Sequence, residues 1–212
     1  MSNQNNVLKQ TLSRLKNALV SLDMQDIYRC AFTASNAQST RADACALPLI
    51  SYGIYEDENV LALMEQICPQ GEQQRQFVRQ RLDKGDKAVI GSLEGQPVFY
   101  GWLMFNEVEV TYGVFMPLGG RTAFGYNLYT RSSHRRMGVM SGFYDFAQSY
   151  LHQRRFHTLY VGISRQNTPS IKAHKKNGFR KEGCFYTLKM LSTCFTLSRF
   201  PDTKRFFINS PQ

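Results

Sequence analysis

Between Thr130 and Gly142 the chain reads TRSSHRRMGVMSG and then continues into the helical pattern of Phe143, Phe146, Ala147, Tyr150 and Leu151. A helix start carries backbone N–H groups with no internal acceptor and the positive end of the macrodipole, so a phosphate fits there directly. Gly138 lets a ligand come close to the backbone, and Arg135 and Arg136 add positive charge. A Gly before a helix also serves simply to turn a chain, so the segment alone leaves both readings open.

Charge concentrates around this segment. From Arg131 to Lys181 there are eleven Lys or Arg against one acid, Asp145, and the rest of the chain balances, so this stretch carries the whole net charge of +10. Such a stretch is a solvated surface, a nucleic-acid footprint or a pocket for a polyanionic ligand. Aromatic residues are not interleaved with the charge, which ranks nucleic acid below the other two.

The elements that must position these residues follow from periodicity. With 212 residues, 42% of them apolar, the chain can bury one sizeable core. Leu8, Leu12, Leu15, Leu19 and Leu22 form one stripe of a helix over Val7 to Leu22. That stripe packs on the chain's own domain, or serves a homodimer or a membrane surface. Residues 36–46 read as loop and Pro48 to Tyr55 as a first strand. Two helices follow over Asn59 to Leu82, separated at Pro69 and Gly71, and then a hairpin of Lys87 to Leu93 and Val98 to Phe105 around Glu94, Gly95 and Gln96. Val108 to Phe115 alternates as one further strand. Beyond it come strand Phe124 to Thr130, the basic loop, helix Val139 to Gln153, strand Thr158 to Ile163, helix Pro169 to Lys176 and a pair of strands across Glu182 to Leu191. Strand, crossover helix, strand predicts adjacent parallel strands, with ligands at their carboxyl ends.

Two segments carry a family resemblance. The run from Arg135 through Met137, Gly138 and Val139 to Met140 is similar to the R-x-x-G-x-[G/A] signature of the GNAT acetyltransferase superfamily, with Met140 at the final small position. Asn167 to Phe179, reading NTPSIKAHKKNGF, resembles that superfamily's second segment, and His174 aligns with a Tyr of many members. The resemblance implies an α/β fold with a mixed, mostly antiparallel twisted sheet, a central βαβ unit and flanking helices. It implies transfer of an acetyl or other short acyl group from acyl-CoA to an amine acceptor, with acetyl-CoA as donor and no metal.

In that family's terms, CoA lies between two strands that splay apart. Leu128, Tyr129 and Thr130 face its pantetheine and thioester, Arg135 to Met140 its pyrophosphate, and Asn167 and Ser170 complete the contacts. His174 takes the role of proton donor to the thiolate, with a surface histidine as the alternative. Glu107 and Glu109, the only acids between Gly95 and Phe143, are the candidate bases, with a solvated strand face as the alternative. The two departures, Met140 and His174, support a second reading as a catalytically inactive CoA-binding regulatory or scaffold protein.

The expected organisation is a helical extension and loop over 1–46, the acyltransferase domain over 47–200 and a tail over 201–212. A polar N-terminus without a continuous apolar run and five scattered cysteines, never spaced C-x-x-C, suit the cytoplasm and argue against a zinc site.

Overall fold

A computed structural model describes residues 20–32, 50–69, 71–111, 114–190, 193–200 and 206–209. In chain order the elements are β1 (Val20–Ala31), β2 (Ile50–Tyr55), α1 (Asn59–Ile67), α2 (Glu72–Asp83), β3 (Lys87–Leu93), β4 (Gln96–Met104), β5 (Glu107–Thr111), β6 (Val114–Pro117) and β7 (Thr122–Thr130). A 3₁₀ turn at Ser132–His134 leads into α3 (Val139–Gln153), β8 (Thr158–Ser164), α4 (Thr168–Lys176), β9 (Arg180–Met190), β10 (Thr193–Arg199) and β11 (Phe206–Asn209). Among the described residues, nine strands form one sheet in the order β11-β10-β9-β1-β8-β7-β4-β3-β2, and β5 pairs with β6 as a separate hairpin. The pair β7 and β8 is parallel, and the other described pairs are antiparallel. This is the mixed α/β fold expected from the sequence.

Both faces of the sheet are covered, which is why β3 and β4 read as nearly continuous apolar runs. On one face Val139, Phe143, Ala147 and Leu151 of α3, each four residues from the next, pack over Val89, Phe99, Leu103, Leu159 and Val161. On the other, Val60, Met64 and Ile67 of α1 and Val78 of α2 cover Ala88, Ile90, Tyr100 and Trp102. Val108 and Met116 of the small hairpin extend that second layer over Ile27, Phe124 and Phe185.

Three expectations change. Residues 7–19 of the expected helix, and the loop over 36–46, lie outside the described residues; from Val20 the chain is strand, and Leu22 pairs with Leu188. Pairing with β9 from Val20 onward, joined by β8 from Gln25, overrides the helical spacing that reaches Leu22. The sheet thus takes in residues ahead of the boundary drawn at 46. Second, Val108 to Phe115 is not one strand but parts of two, β5 and β6. Third, Glu182 to Leu191 is not a pair: β9 runs through to Met190, and it lies between Thr193–Arg199 on one side and β1 on the other.

Candidate functional site

The parallel ladder between β7 and β8 runs only from Thr122 opposite Thr158 to Gly125 opposite Val161. Past that rung β7 continues to Thr130 on β4, while β8 continues to Ser164 on β1. The two strands therefore part, and a gap opens at their carboxyl ends. Where it opens, the register of β7 against β4 shifts: Tyr126 opposes Trp102 and Tyr129 opposes Tyr100, leaving Asn127 and Leu128 against the single residue Gly101. Asn127 takes φ of 49°, a conformation Asn tolerates better than most residues. Such a bulge turns backbone groups out of the ladder. Leu128, Tyr129 and Thr130 all lie on this stretch.

At the end of β7 the chain turns sharply into α3. Arg131 N–H donates to Val98 O at 2.9 Å, and His134 N–H to Arg131 O at 2.9 Å. Arg136 and Gly138 both take positive φ, 65° and 78°. Gly138 is the residue before the helix; no side chain caps this end, and its first turn holds no acid. The amides of Val139, Met140 and Ser141 thus face outward from an uncapped helix start. Arg135 folds back, its Nε donating to Thr130 O at 3.3 Å and its guanidinium over the Tyr129 ring. Met137 and Met140 pack against the core beneath.

The second segment is held by hydrogen bonds of its own. Asn167 caps α4: its Oδ1 accepts from Ser170 N–H at 3.2 Å. His174 is 3% exposed, with its ring edge-on to Tyr144 and Phe179. The surface alternative is therefore overturned. Its Nδ1 lies 2.7 Å from Ser170 O, an atom that only accepts, so the proton sits on Nδ1 and is committed to that carbonyl. Burial lowers its pKa against this hydrogen bond, keeping the ring neutral.

On the opposite face of the gap a cavity of about 530 Å³ is lined by Phe124 and Tyr126 of β7, Gly162 of β8, and residues of α2 and of the β5–β6 hairpin. Glu107 and Glu109 line it as exposed residues of β5. His174 is not among its lining residues. The buried carboxylate here is Asp86, 4% exposed, a residue the sequence reading did not single out. Its position comes from the end of α2: Gly85, φ 81°, donates to Leu82 O, and Asp86 N–H donates to Arg81 O at 3.0 Å, the paired bonds of a Schellman turn. The Tyr126 hydroxyl donates to Asp86 Oδ2 at 2.5 Å. Burial raises the Asp86 pKa above its usual value, and Tyr126, Arg81, Lys84 and Lys87 restrain the rise. The signal available in the sequence was the Gly after the helix, which fixes Asp86 just ahead of β3.

These features define a mixed α/β protein whose one described parallel strand pair opens beside an uncapped helix start. The model of the Acetyltransferase (GNAT) family matches residues 51–179, more than half of the chain, so the chain belongs to the GNAT acetyltransferase family. No curated protein matches the sequence significantly. Solved structures that resemble it include a tandem GNAT protein from the clavulanic acid biosynthesis pathway, with a TM-score of 0.56 and 10% identity, aligned over 86% of this chain and 55% of that one. A functionally unknown conserved protein from Staphylococcus epidermidis aligns with a TM-score of 0.53 and 10% identity over 84% of this chain and 66% of its own. A Drosophila protein aligns with a TM-score of 0.54 and 12% identity over 90% and 58%. This chain spans less than two thirds of each, and at such identities the likeness is one of fold. No helix among the described residues is long and apolar enough to cross a membrane.

Proposed function

We propose that the protein transfers an acyl group, acetyl above all, from acyl-CoA to an amine. The observation that supports this most directly is that the β7–β8 ladder stops at Gly125 and Val161 directly before the bulge and the uncapped start of α3. The residues fit an acyl-CoA: an elongated chain can follow the free edge of β7, and a diphosphate can meet the N–H groups of Val139, Met140 and Ser141.

In this reading the Leu128 to Thr130 backbone holds the pantetheine arm and polarises the thioester carbonyl. Gly138 admits the diphosphate to the helix start, and Arg136 supplies charge beside it. Asn167 and Ser170 shape the turn into α4 that borders the site, and His174 fixes that helix from within the core rather than giving a proton. Glu107 and Glu109 set the charge at the mouth of the acceptor cavity. The family brings acyl transfer from CoA thioesters; the amine and a cytoplasmic location are part of the proposal.

The test is thiol release from acetyl-CoA and longer acyl-CoAs with amines, amino sugars and peptides, with Gly138→Trp as control. The proposal expects amine-dependent release that the indole abolishes by filling the phosphate position. Equal release by both proteins, or none above the uncatalysed rate with any acceptor, would contradict it.

A further inference from the structure

We propose that the cavity beside Asp86 is the acceptor site, that it takes a primary amine carried on an apolar body, and that the Asp86 carboxylate, oriented by Tyr126, receives the amine's proton. This rests on the transferase reading above.

Tyr126 directly follows the last rung of the parallel ladder, so the cavity it lines opens where the gap between β7 and β8 begins. A group bound against Asp86 therefore approaches a thioester lying in that gap from the face opposite α3. The size is that of a small-molecule site.

Asp86 is 4% exposed, whereas Glu107 and Glu109 are exposed on β5. The charged and titratable groups around Asp86 are Arg81 from α2, Lys84 just past its end, Lys87 at the start of β3, Tyr126 from β7, and Glu107 and Glu109 lining the same cavity from β5. Burial makes the carboxylate a stronger base than an exposed one, while these cations and the phenol favour its ionised form. Arg81, stacked over Trp102 and Tyr126, holds the Tyr126 ring in place.

The rim sets the acceptor class. Phe77 from α2 and Phe115 from β6, 40% and 50% exposed, both line the cavity. An apolar body gains by covering them; a polyhydroxylated or multiply charged one would lose hydration there.

The proton balance closes. The ammonium gives one proton to the Asp86 carboxylate, leaving a neutral amine and a carboxylic acid. The nitrogen lone pair forms the C–N bond at the thioester carbonyl and the C–S bond breaks. The second nitrogen proton goes to the departing thiolate, giving the CoA thiol and the amide, and Asp86 returns its proton to solvent.

The experiment is kcat/KM for thiol release from acetyl-CoA with 2-phenylethylamine, from about pH 6 to pH 9, for the wild type, Asp86→Asn and Tyr126→Phe, with CoA affinity measured in each. Asp86→Asn is expected to retain CoA binding, to lose roughly 10²–10³-fold in kcat/KM near neutral pH, and to regain rate about tenfold per pH unit as free amine accumulates. Tyr126→Phe is expected to move the acidic limb of the profile to higher pH, because a hydrogen bond that favours the carboxylate is gone. An Asp86→Asn protein with the wild-type rate and profile overturns the proposal. If Asp86→Asn no longer binds CoA, Tyr126→Phe decides: a displaced limb supports the proposal and an unmoved one overturns it. A wild type that uses spermidine or glucosamine but not 2-phenylethylamine overturns the acceptor class and leaves the transferase reading standing. A wild type that releases no thiol with any of the three, or with the wider acceptor set, ends both.

Discussion

The Tyr52 hydroxyl donates to the main-chain carbonyl of Val139 across 2.5 Å, tying strand β2 to the first turn of α3. The ring stacks on Phe146 and meets Phe99 edge-on, so it has little room to shift. It also lies against Gly142, where an added Cβ would come within 2.9 Å of the tyrosine oxygen. Tyr52→Phe should cost about 0.5–1.5 kcal/mol of stability, and Gly142→Ala about 1–3 kcal/mol through overpacking. Because both disturb the helix start that faces the proposed diphosphate, both should also weaken CoA binding. Thermal unfolding and CoA titration check this; unchanged Tm and Kd in both variants would contradict it.

Asp26 on β1 joins three parts of the sheet. Its Oδ1 accepts from Arg165 Nη2 at 2.8 Å, Lys181 Nζ lies 2.8 Å from the same atom, and Arg165 Nη2 also donates to the Tyr186 hydroxyl at 2.9 Å. Burial pushes the Asp26 carboxyl up, but the bonds from Arg165 and Lys181 outweigh it and hold the pKa below its usual value. Its contribution to stability is therefore present above about pH 4 and is lost as pH falls through the folded value. Asp26→Asn should lower Tm near pH 7, and the gap to wild type should close as the pH is taken toward 3. A gap that is constant with pH would show that the charge is not the cause.

His174 gives the opposite kind of group the same sign. Its pKa is lowered by burial, so the unfolded chain takes up a proton before the folded one does. The stability it allows is full above about pH 6.5 and is lost as pH falls from there toward the folded value. His174→Phe should abolish that loss while leaving thiol release within a few-fold of wild type, since the ring stays between Tyr144 and Phe179. A large fall in kcat with unchanged stability would restore the histidine as a proton donor.

The site was legible wherever a local pattern carried it. Helix α3 is visible to the residue, Val139–Gln153, because Phe143, Ala147 and Leu151 mark one face and Gly138 marks its start. The hairpin of β3 and β4 is equally plain from its turn at Glu94 and Gly95, both at positive φ. Strand β1 was hidden because its partners are distant in sequence: Gln25 pairs with Ser164 on one side and Phe185 on the other, and no local window holds that information. Asp86 was hidden for the same reason. An acid after a helix-ending glycine is ordinary, and what distinguishes it is a bond to Tyr126, 40 residues away, and a cavity walled by other elements. His174 misled because α4 carries Lys175 and Lys176 beside it, while its own side chain turns inward.

Gly138 takes φ of 78°, so a side chain there strains the turn; Gly138→Ala should cost about 1–2 kcal/mol and reduce CoA affinity even though alanine is small. An affinity equal to wild type would mean that this turn's shape is immaterial to binding.

The most direct measurement is a titration of the nitrogen-15-labelled protein with CoA, following the backbone amides by NMR. Saturable shifts that are largest at Val139, Met140 and Ser141 and along Leu128 to Thr130 are the predicted result. Binding that leaves those amides unmoved, or no saturable change anywhere, would contradict the account.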